Sequence, residues 1–529
     1  MTERQSSALH WALSLALIAV ATLARYWFVA SGQLNLAPDE AQYWDWSRTL
    51  QWSYYSKGPL IALINWIGTH FLGATEMGVR AGAMAGALVM QLAVLGWIGG
   101  YLGRARTAFW TLVVLNTTVL FMAGGLLMTT DSPLLVCWIL GLFCLHLAVD
   151  KGHLAAFILL GLFLALGITA KYTMVLFVPL ALLAALWISR GQAMPPLFWP
   201  RLLKTLGLGG LAGLAPVLIW NAMNGWVGIK HVLYRGALAG DKAQVFFKWK
   251  YFPEYLGSQL GVLTPWWFVF LFIGAWLVLR QLLAKKPPVE PVDAQETAPA
   301  HPLWVPRPLA ILLTVFFWPV WLFFLFWSLH AKIEANWSAT AYPAGILLAA
   351  LAVERFVHRQ PRPRWRFAWP VLGAVIFVLL HLQGFIPFDS PKNPVHRLMG
   401  WQDLGARVEA ARQEMGGGEG VFVFGDEYGV TAELSFYVPG QTRAFCLAGG
   451  RKMNQYDLWP GPDPVMQSAV YVAKGEKESV PQRVAELFES VDGPRVVTTT
   501  HGPRQGQTFS LFLCRGYKGQ WPEQEGKTF

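Results

Sequence analysis

The chain has 529 residues, of which 54% are hydrophobic, 14% aromatic and only 14% charged. A soluble domain carries about 25% charged residues, so solvated charge cannot cover a chain of this length; disorder, collagen-like repeats and a disulfide scaffold are excluded too. The net charge of +11 invites a nucleic-acid reading, but the location of the cations points instead to membrane topology and an anionic ligand. Four cysteines give no metal cluster or redox framework.

A membrane span needs about 20 mostly apolar residues. About eleven stretches qualify, with cores near 10–30, 78–100, 107–125, 131–149, 154–170, 173–189, 204–222, 260–280, 308–329, 337–353 and 367–386. The first has no small-residue cleavage site and reads as an uncleaved span. With the N-terminus inside, the inside loops collect Arg104, Arg106, Lys151, Arg190, Arg201, Lys204, Lys285, Lys286, Arg307 and the arginines from Arg355 to Arg366. The outside loops are mixed in sign and rich in Trp and Tyr, the arrangement expected from the excess of cations on the inside. An odd number of spans then places the C-terminus outside; losing one span would reverse it. The stretch Pro287 to Pro306 reads as an inside linker.

The composition changes at Asp389. Residues 1–388 read as the membrane domain, with the outside loop 31–77 carrying the chemistry, and residues 389–529 as a small α/β domain. Strand-like runs are Val421–Phe424, Ala469–Ala473, Val496–Thr500 and Thr508–Cys514; helix-like runs are Trp401–Gln413 and Pro481–Glu489. Cys446 and Cys514 both fall in this tail, where a disulfide is chemically allowed if the tail is outside. Asp426 and Glu427, after the strand-like run, read as loop structure, with no nucleotide-binding fingerprint around them.

In the first outside loop, Pro38 and the acidic pair Asp39 and Glu40 suit the start of a helix. The run Glu40–Gln51 reads as a short interfacial helix, and Leu60–Leu72 as a second, with Asn65, Thr69 and His70 toward water. Between them stands Tyr54-Tyr55-Ser56-Lys57-Gly58-Pro59. Capping explains the acids one by one and snorkelling explains the lysine; together they suit a general base and a phosphate clamp.

These residues resemble the polyprenyl-phosphate-dependent membrane glycosyltransferases of GT-C architecture, which include protein O-mannosyltransferases and the lipid A aminoarabinose transferase. The matching positions are Asp39, Glu40, Tyr55, Lys57 and Pro59, followed by the stretch Gly73 to Leu88. The chain has Lys-Gly-Pro where several members have Lys-Pro. The resemblance implies a polytopic α-helical GT-C fold, interfacial helices in the first periplasmic loop, and a small periplasmic C-terminal α/β domain. It also implies a polyprenyl-phosphate sugar donor and a catalytic role for Asp39 and Glu40.

Further polar residues at the outer face join this set. Asp131 opens the fourth span, where the family often has an Asp, and Lys171-Tyr172 ends the fifth, where the family has a Lys; capping and snorkelling are the alternatives. The loop 224–258 is the most basic outside, with Arg235 its best phosphate ligand and Asn221 and Asn224 at its entry. His330, Lys332, Glu334, Asn336, Trp337 and Tyr342 cluster at one membrane face and resemble a sugar and phosphate pocket; aromatic-belt anchoring also explains Trp337 and Tyr342. His330 and Glu334 lack a third metal ligand, so no cofactor is expected, although a divalent ion would be compatible. Arg25, inside span one, either meets a buried polar group or snorkels outward.

The expected activity is inverting transfer of a sugar from a polyprenyl-phosphate donor to lipid A or core, a glycan or a protein hydroxyl, at the outer face of a bacterial inner membrane. The expected partners are donor, acceptor and membrane lipids, with no nucleic acid. A polytopic lipid or polysaccharide transporter is the alternative; the internal repeats such transporters often show are not evident.

Overall fold

The computed structural model describes residues 3–236, 238, 247–284, 305–359, a few positions between 368 and 379, 394–448 and 452–523. Among them, eight helices are long and apolar enough to cross a membrane: α1 (Glu3–Ala30), α4 (Glu76–Val94, extended by a π-helical turn to Tyr101), α7 (Asp131–Lys151), α9 (Phe177–Ser189, preceded by the 3-10 turn Tyr172–Leu176), α10 (Phe198–Met223), α13 (Pro265–Leu283), α14 (Arg307–Trp327) and α15 (Tyr342–Arg359). The helix α8 (Leu154–Ala170) is shorter but equally apolar. It lies against α10 through glycine: a Cβ on Gly209 would stand 2.6 Å from the carbonyl oxygen of Gly161. Lipid offers no hydrophobic drive between helices, so such backbone contact is a main source of cohesion. The expected last span, 367–386, lies for the most part outside the described residues.

One expected span is two helices. The stretch 107–125 forms α5 (Ala105–Asn116) and α6 (Val119–Gly124). Three polar side chains at the break turn back onto the preceding turn: Asn116 Nδ2 donates to Leu112 O, Thr117 Oγ1 to Val113 O and Thr118 Oγ1 to Leu115 O. Such local bonds compete with helix continuation. The break also gives Arg25 a partner, since its Nη2 donates to Asn116 Oδ1 at 2.8 Å. Arg25 thus meets a buried polar group.

The helix ends sort into two faces. At one, Arg106 donates to Ser6, Thr107 to Glu354, and Arg201 to Gly152 O, which gathers loops expected to be inside. At the other stand the short helices of the first loop, α2 (Pro38–Ser47) and α3 (Leu60–Leu72), with α11 (Val227–Arg235), α12 (Tyr251–Leu263) and the tail domain. On α3, Asn65 is fully buried and donates to Ile61 O, not turned to water as expected; the face it shares with Ile61 and Ala62 packs inward.

The tail domain holds β1 (Val421–Gly425), β2 (Ala444–Cys446), β3 (Ser468–Lys474), β4 (Phe488–His501) and β5 (Arg504–Tyr517) in one sheet of order β2-β1-β3-β5-β4. β1 runs parallel to β2 and β3, while β5 is antiparallel to β3 and β4. Helices Trp401–Glu414 and Tyr428–Tyr437 cover one face, where Val423, Leu434, Val470 and Leu513 meet. The second of these and β2 were not among the expected elements. The expected helix 481–489 shrinks to Gln482–Ala485, because β4 begins at Phe488. Cys446 and Cys514 are both free thiols.

The domain is fastened to the first loop. Trp44 packs edge-on against Phe436 at 4.8 Å. Tyr456 donates to Asp45 at 2.9 Å, Leu36 N to the Tyr437 hydroxyl at 2.7 Å, and Tyr55 N to Gln455 Oε1 at 2.7 Å.

Candidate active site

The acidic pair splits into two environments. Ala37 caps α2 in extended backbone, and its N–H donates to Glu40 Oε2 at 2.9 Å. Glu40 is fully buried and also accepts from Arg80 Nε at 3.1 Å, Arg80 Nη2 at 2.9 Å and Met128 N at 2.8 Å. Four donors occupy both carboxylate oxygens, and Arg80 in turn ties Leu34 O and Asn35 O. The geometry therefore corrects the catalytic expectation for Glu40: it is a buried strut joining α2, α4 and the 125–131 loop. Asp39, one residue earlier, is exposed. Its Oδ1 accepts the Tyr428 hydroxyl at 3.0 Å. Tyr428 comes from the tail domain and was missed in the sequence, although it stands directly after the Asp426-Glu427 pair.

A second group forms where α7 begins and α8 ends. Lys171 Nζ donates to Asp131 Oδ1 at 2.7 Å, and Asn336 Nδ2 to Asp131 Oδ2 at 2.6 Å. Three expected site residues, from three separate loops, thus share one carboxylate. Asp131 and Lys171 keep 8% and 12% of their side chains exposed, so the pair is sheltered yet accessible from one side. Tyr172 lies against Ser53, with 3.5 Å between the hydroxyls, and Ser53 donates to Lys57 O at 3.1 Å.

Lys57 stands beside this group. Burial pushes its ammonium down to about 8, helped by Lys171 and Arg235 and opposed by Asp131 and Asp39. All four of these charges bear on the Lys57 ammonium. Gly58 makes the position possible: a Cβ there would lie 2.1 Å from Thr169 O. The Lys-Gly-Pro spelling follows from the loop backbone running against the end of α8.

Tyr55 is buried and its ring lies 4.7 Å from His231. Burial, with Arg235, Lys57 and Lys452, pushes the imidazole down to about 4, so His231 is neutral at pH 7. Asn221 holds this region, accepting from Ile229 N at 3.0 Å, and Asn224 caps the end of α10 by donating to Trp220 O.

The last cluster divides. Arg235 reaches Glu334 at 3.5 Å, both half-exposed. Lys332 is exposed and pairs with Glu254 at 3.0 Å. Tyr342 is fully buried and its hydroxyl donates to Gln259, which also accepts from Ser338. It locks α15 to α12 and offers no ring to a sugar, contrary to the pocket expectation. His330 is buried against Trp327 at 4.9 Å, and among the described residues no group of His, Cys, Asp and Glu could hold a metal ion.

The site thus gathers Asp39, Lys57, Asp131, Lys171, Arg235 and Asn336 at one end of the helices, with Tyr428 and Lys452 added from the tail. It offers one exposed carboxylate, several cations and an uncharged imidazole, suited to removing a proton and stabilising a leaving anion.

Residues 56–220 match the family described as dolichyl-phosphate-mannose-protein mannosyltransferase. The lipid A galacturonosyltransferase RgtD of Rhizobium johnstonii is 24% identical over 316 residues, 59% of this chain and 59% of that protein; the chain spans about three-fifths of that curated relative. ArnT from Cupriavidus metallidurans has the same fold. Its apo structure covers 96% of this chain and 98% of its own at a TM-score of 0.58 and 15% identity. Its structure bound to undecaprenyl phosphate covers 97% and 98% at 0.56 and 15%. The chain is an integral membrane protein with the GT-C fold, as the first-loop residues led us to expect.

Proposed function

We propose that the protein transfers a sugar from a polyprenyl-phosphate carrier to a lipid acceptor of the lipid A class, in the bacterial inner membrane, with its site and tail domain on the periplasmic side. The convergence of Asp39 with Lys57, Lys171 and Arg235 carries this reading. The match to a sugar-transferring family, the lipid A activity named for RgtD and the undecaprenyl phosphate named for ArnT support it.

In this mechanism an acceptor hydroxyl attacks the anomeric carbon opposite the phosphate. The new glycosidic bond forms as the carbon–oxygen bond to phosphate breaks, with inversion. The hydroxyl proton passes to Asp39 as general base. The leaving phosphodiester becomes a phosphomonoester and gains one negative charge, which Lys57, Lys171 and Arg235 stabilise. Fixed cations of this kind are worth about 3–4 kcal/mol of barrier each and can take the place of a metal. Asp131 and Asn336 hold Lys171 in position, and Tyr55 with Tyr172 walls the loop that carries Lys57.

Purified protein supplied with polyprenyl-phosphate sugars and a lipid A acceptor tests this. New glycolipid should appear by mass spectrometry and should require Asp39. Movement of the donor across vesicles without bond exchange would favour the transporter instead. Full turnover by Asp39→Asn with a hydroxyl acceptor would overturn the base assignment.

A further inference from the structure

Two and three residues beyond the end of α1, Gly32 and Gln33 meet the tail domain across an open cavity of about 540 Å³. Its other walls are the first turns of the Trp401–Glu414 helix (Gln402, Asp403 and Ala406) and the β4–β5 turn from Thr500 to Arg504. Arg504 opens β5 and is only 8% exposed. Its Nη1 is buried without a hydrogen-bond partner, and its guanidinium makes no ion pair among the described residues. A buried charge left in this state is expensive.

The neighbouring groups do not compensate it. Asp403, the one carboxylate lining the cavity, accepts from Arg407 Nε at 3.1 Å through Oδ1, and from Thr500 N and Oγ1 at 2.9 and 3.3 Å through Oδ2. His501 Nε2 lies 3.1 Å from Gly32 O. The Trp401–Glu414 helix brings the positive end of its dipole to this wall, and its Trp401 N–H is already taken by Asn35 Oδ1 at 3.1 Å. An unanswered guanidinium therefore borders a space wide enough for a phosphate, at the rim where α1 leaves the apolar layer.

We propose that this groove binds the phosphate-bearing head of a membrane amphiphile, with Arg504 as its forked anchor. Gly32 and Asp39 are seven positions apart, at most about 25 Å of extended chain, so a head group of a few sugars bridges the two. That the amphiphile is the acceptor rests on the function proposed above; the anion site itself does not.

The test uses the full-length protein in neutral detergent, with polyprenyl phosphate added first to occupy the catalytic cations. Calorimetric titration follows with dihexanoyl phosphatidic acid, dihexanoyl phosphatidylcholine and inorganic phosphate. Phosphatidic acid should bind about ten-fold or more tightly than the other two, as expected for a bidentate charge-assisted contact plus lipid chains. Arg504→Gln and Gln402→Glu should each weaken it by about ten-fold, and Arg504→Lys by less. Gln402 is exposed, so its variant keeps the fold should Arg504→Gln lose it. Phosphatidylcholine binding as tightly would overturn the anion site, and inorganic phosphate binding as tightly would overturn the amphiphile. Unchanged affinity in the Gln402→Glu variant and in folded Arg504→Gln would overturn both. Failure of polyprenyl phosphate to bind, with Arg504-dependent phosphatidic acid binding intact, would count against the proposed function and leave the groove standing.

Discussion

The Tyr428 hydroxyl donates to Asp39 Oδ1 at 3.0 Å across 389 positions of sequence. The tail domain therefore supplies a partner to the very carboxylate assigned as base. Hydrogen bonds to charged groups are worth about 1.5–3 kcal/mol. Tyr428→Phe should lower kcat about ten-fold or more, with a smaller change in KM for the donor. A purely structural role would lower Tm and leave the kcat of the folded protein in place, which thermal melts beside steady-state kinetics would show.

Asp131 and Lys171 form a sheltered pair with Asn336. Removing one member leaves the other charge poorly compensated, at a cost of up to about 3 kcal/mol. Asp131→Asn and Lys171→Met should each lower Tm. The double variant should lose less than the sum of the two, as a double-mutant cycle reports coupling. Activity should stay low in all three, since each disturbs the cation that faces the leaving phosphate. Additive losses of Tm would remove the coupling.

Lys57 titrates near 8, against 10.5 for a free side chain. The unliganded protein should lose its phosphate clamp as pH rises through about 8, so kcat/KM should fall there. Lys57→Arg should carry the basic limb to higher pH, because guanidinium stays charged. The stability sign is opposite. Between about pH 8 and 10.5 the folded protein holds fewer protons at this site than the unfolded chain. Lys57 thus makes stability rise with pH in that window. A basic limb unchanged in Lys57→Arg would assign the titration to another group.

Glu433 lies in the contact between tail domain and first loop, fully buried, with neither carboxylate oxygen hydrogen-bonded. Burial, and then Glu40, raise it well above the usual carboxylate range. The folded protein keeps this proton while the unfolded chain releases it above about pH 4.5. Stability from this residue is therefore full in acid and declines as pH rises toward the folded value. Glu433→Gln should raise Tm at pH 8, have little effect at pH 4, and flatten the slope between them by about 1 kcal/mol or more. Differential scanning fluorimetry at several pH values would measure it.

Much of this was readable in advance where the signal is local. Hydropathy located most of the spans, and charged groups at apolar boundaries marked Asp131 and Lys171, since such groups are costly unless used. Local reading failed where a side chain has two plausible fates. Asp39 and Glu40 look alike in sequence, yet one turns outward and the other is closed in by Arg80. Tyr342 has the composition of an interfacial aromatic but is sealed against Gln259. The polar break at Asn116 to Thr118 was hidden by the apolar residues on either side. Tyr428, Gln455 and Tyr456 were out of reach, because only the folded chain brings them to α2 and the loop that follows it.

The first loop's bonds to Tyr428, Gln455, Tyr437 and Tyr456 span 389 to 411 positions. During synthesis the membrane helices emerge long before these partners do. Contacts so distant in sequence close late, so a nascent chain already threaded into the bilayer still lacks the tail contacts of the proposed site. The tail domain leaves the ribosome after the membrane helices whose first loop it fastens.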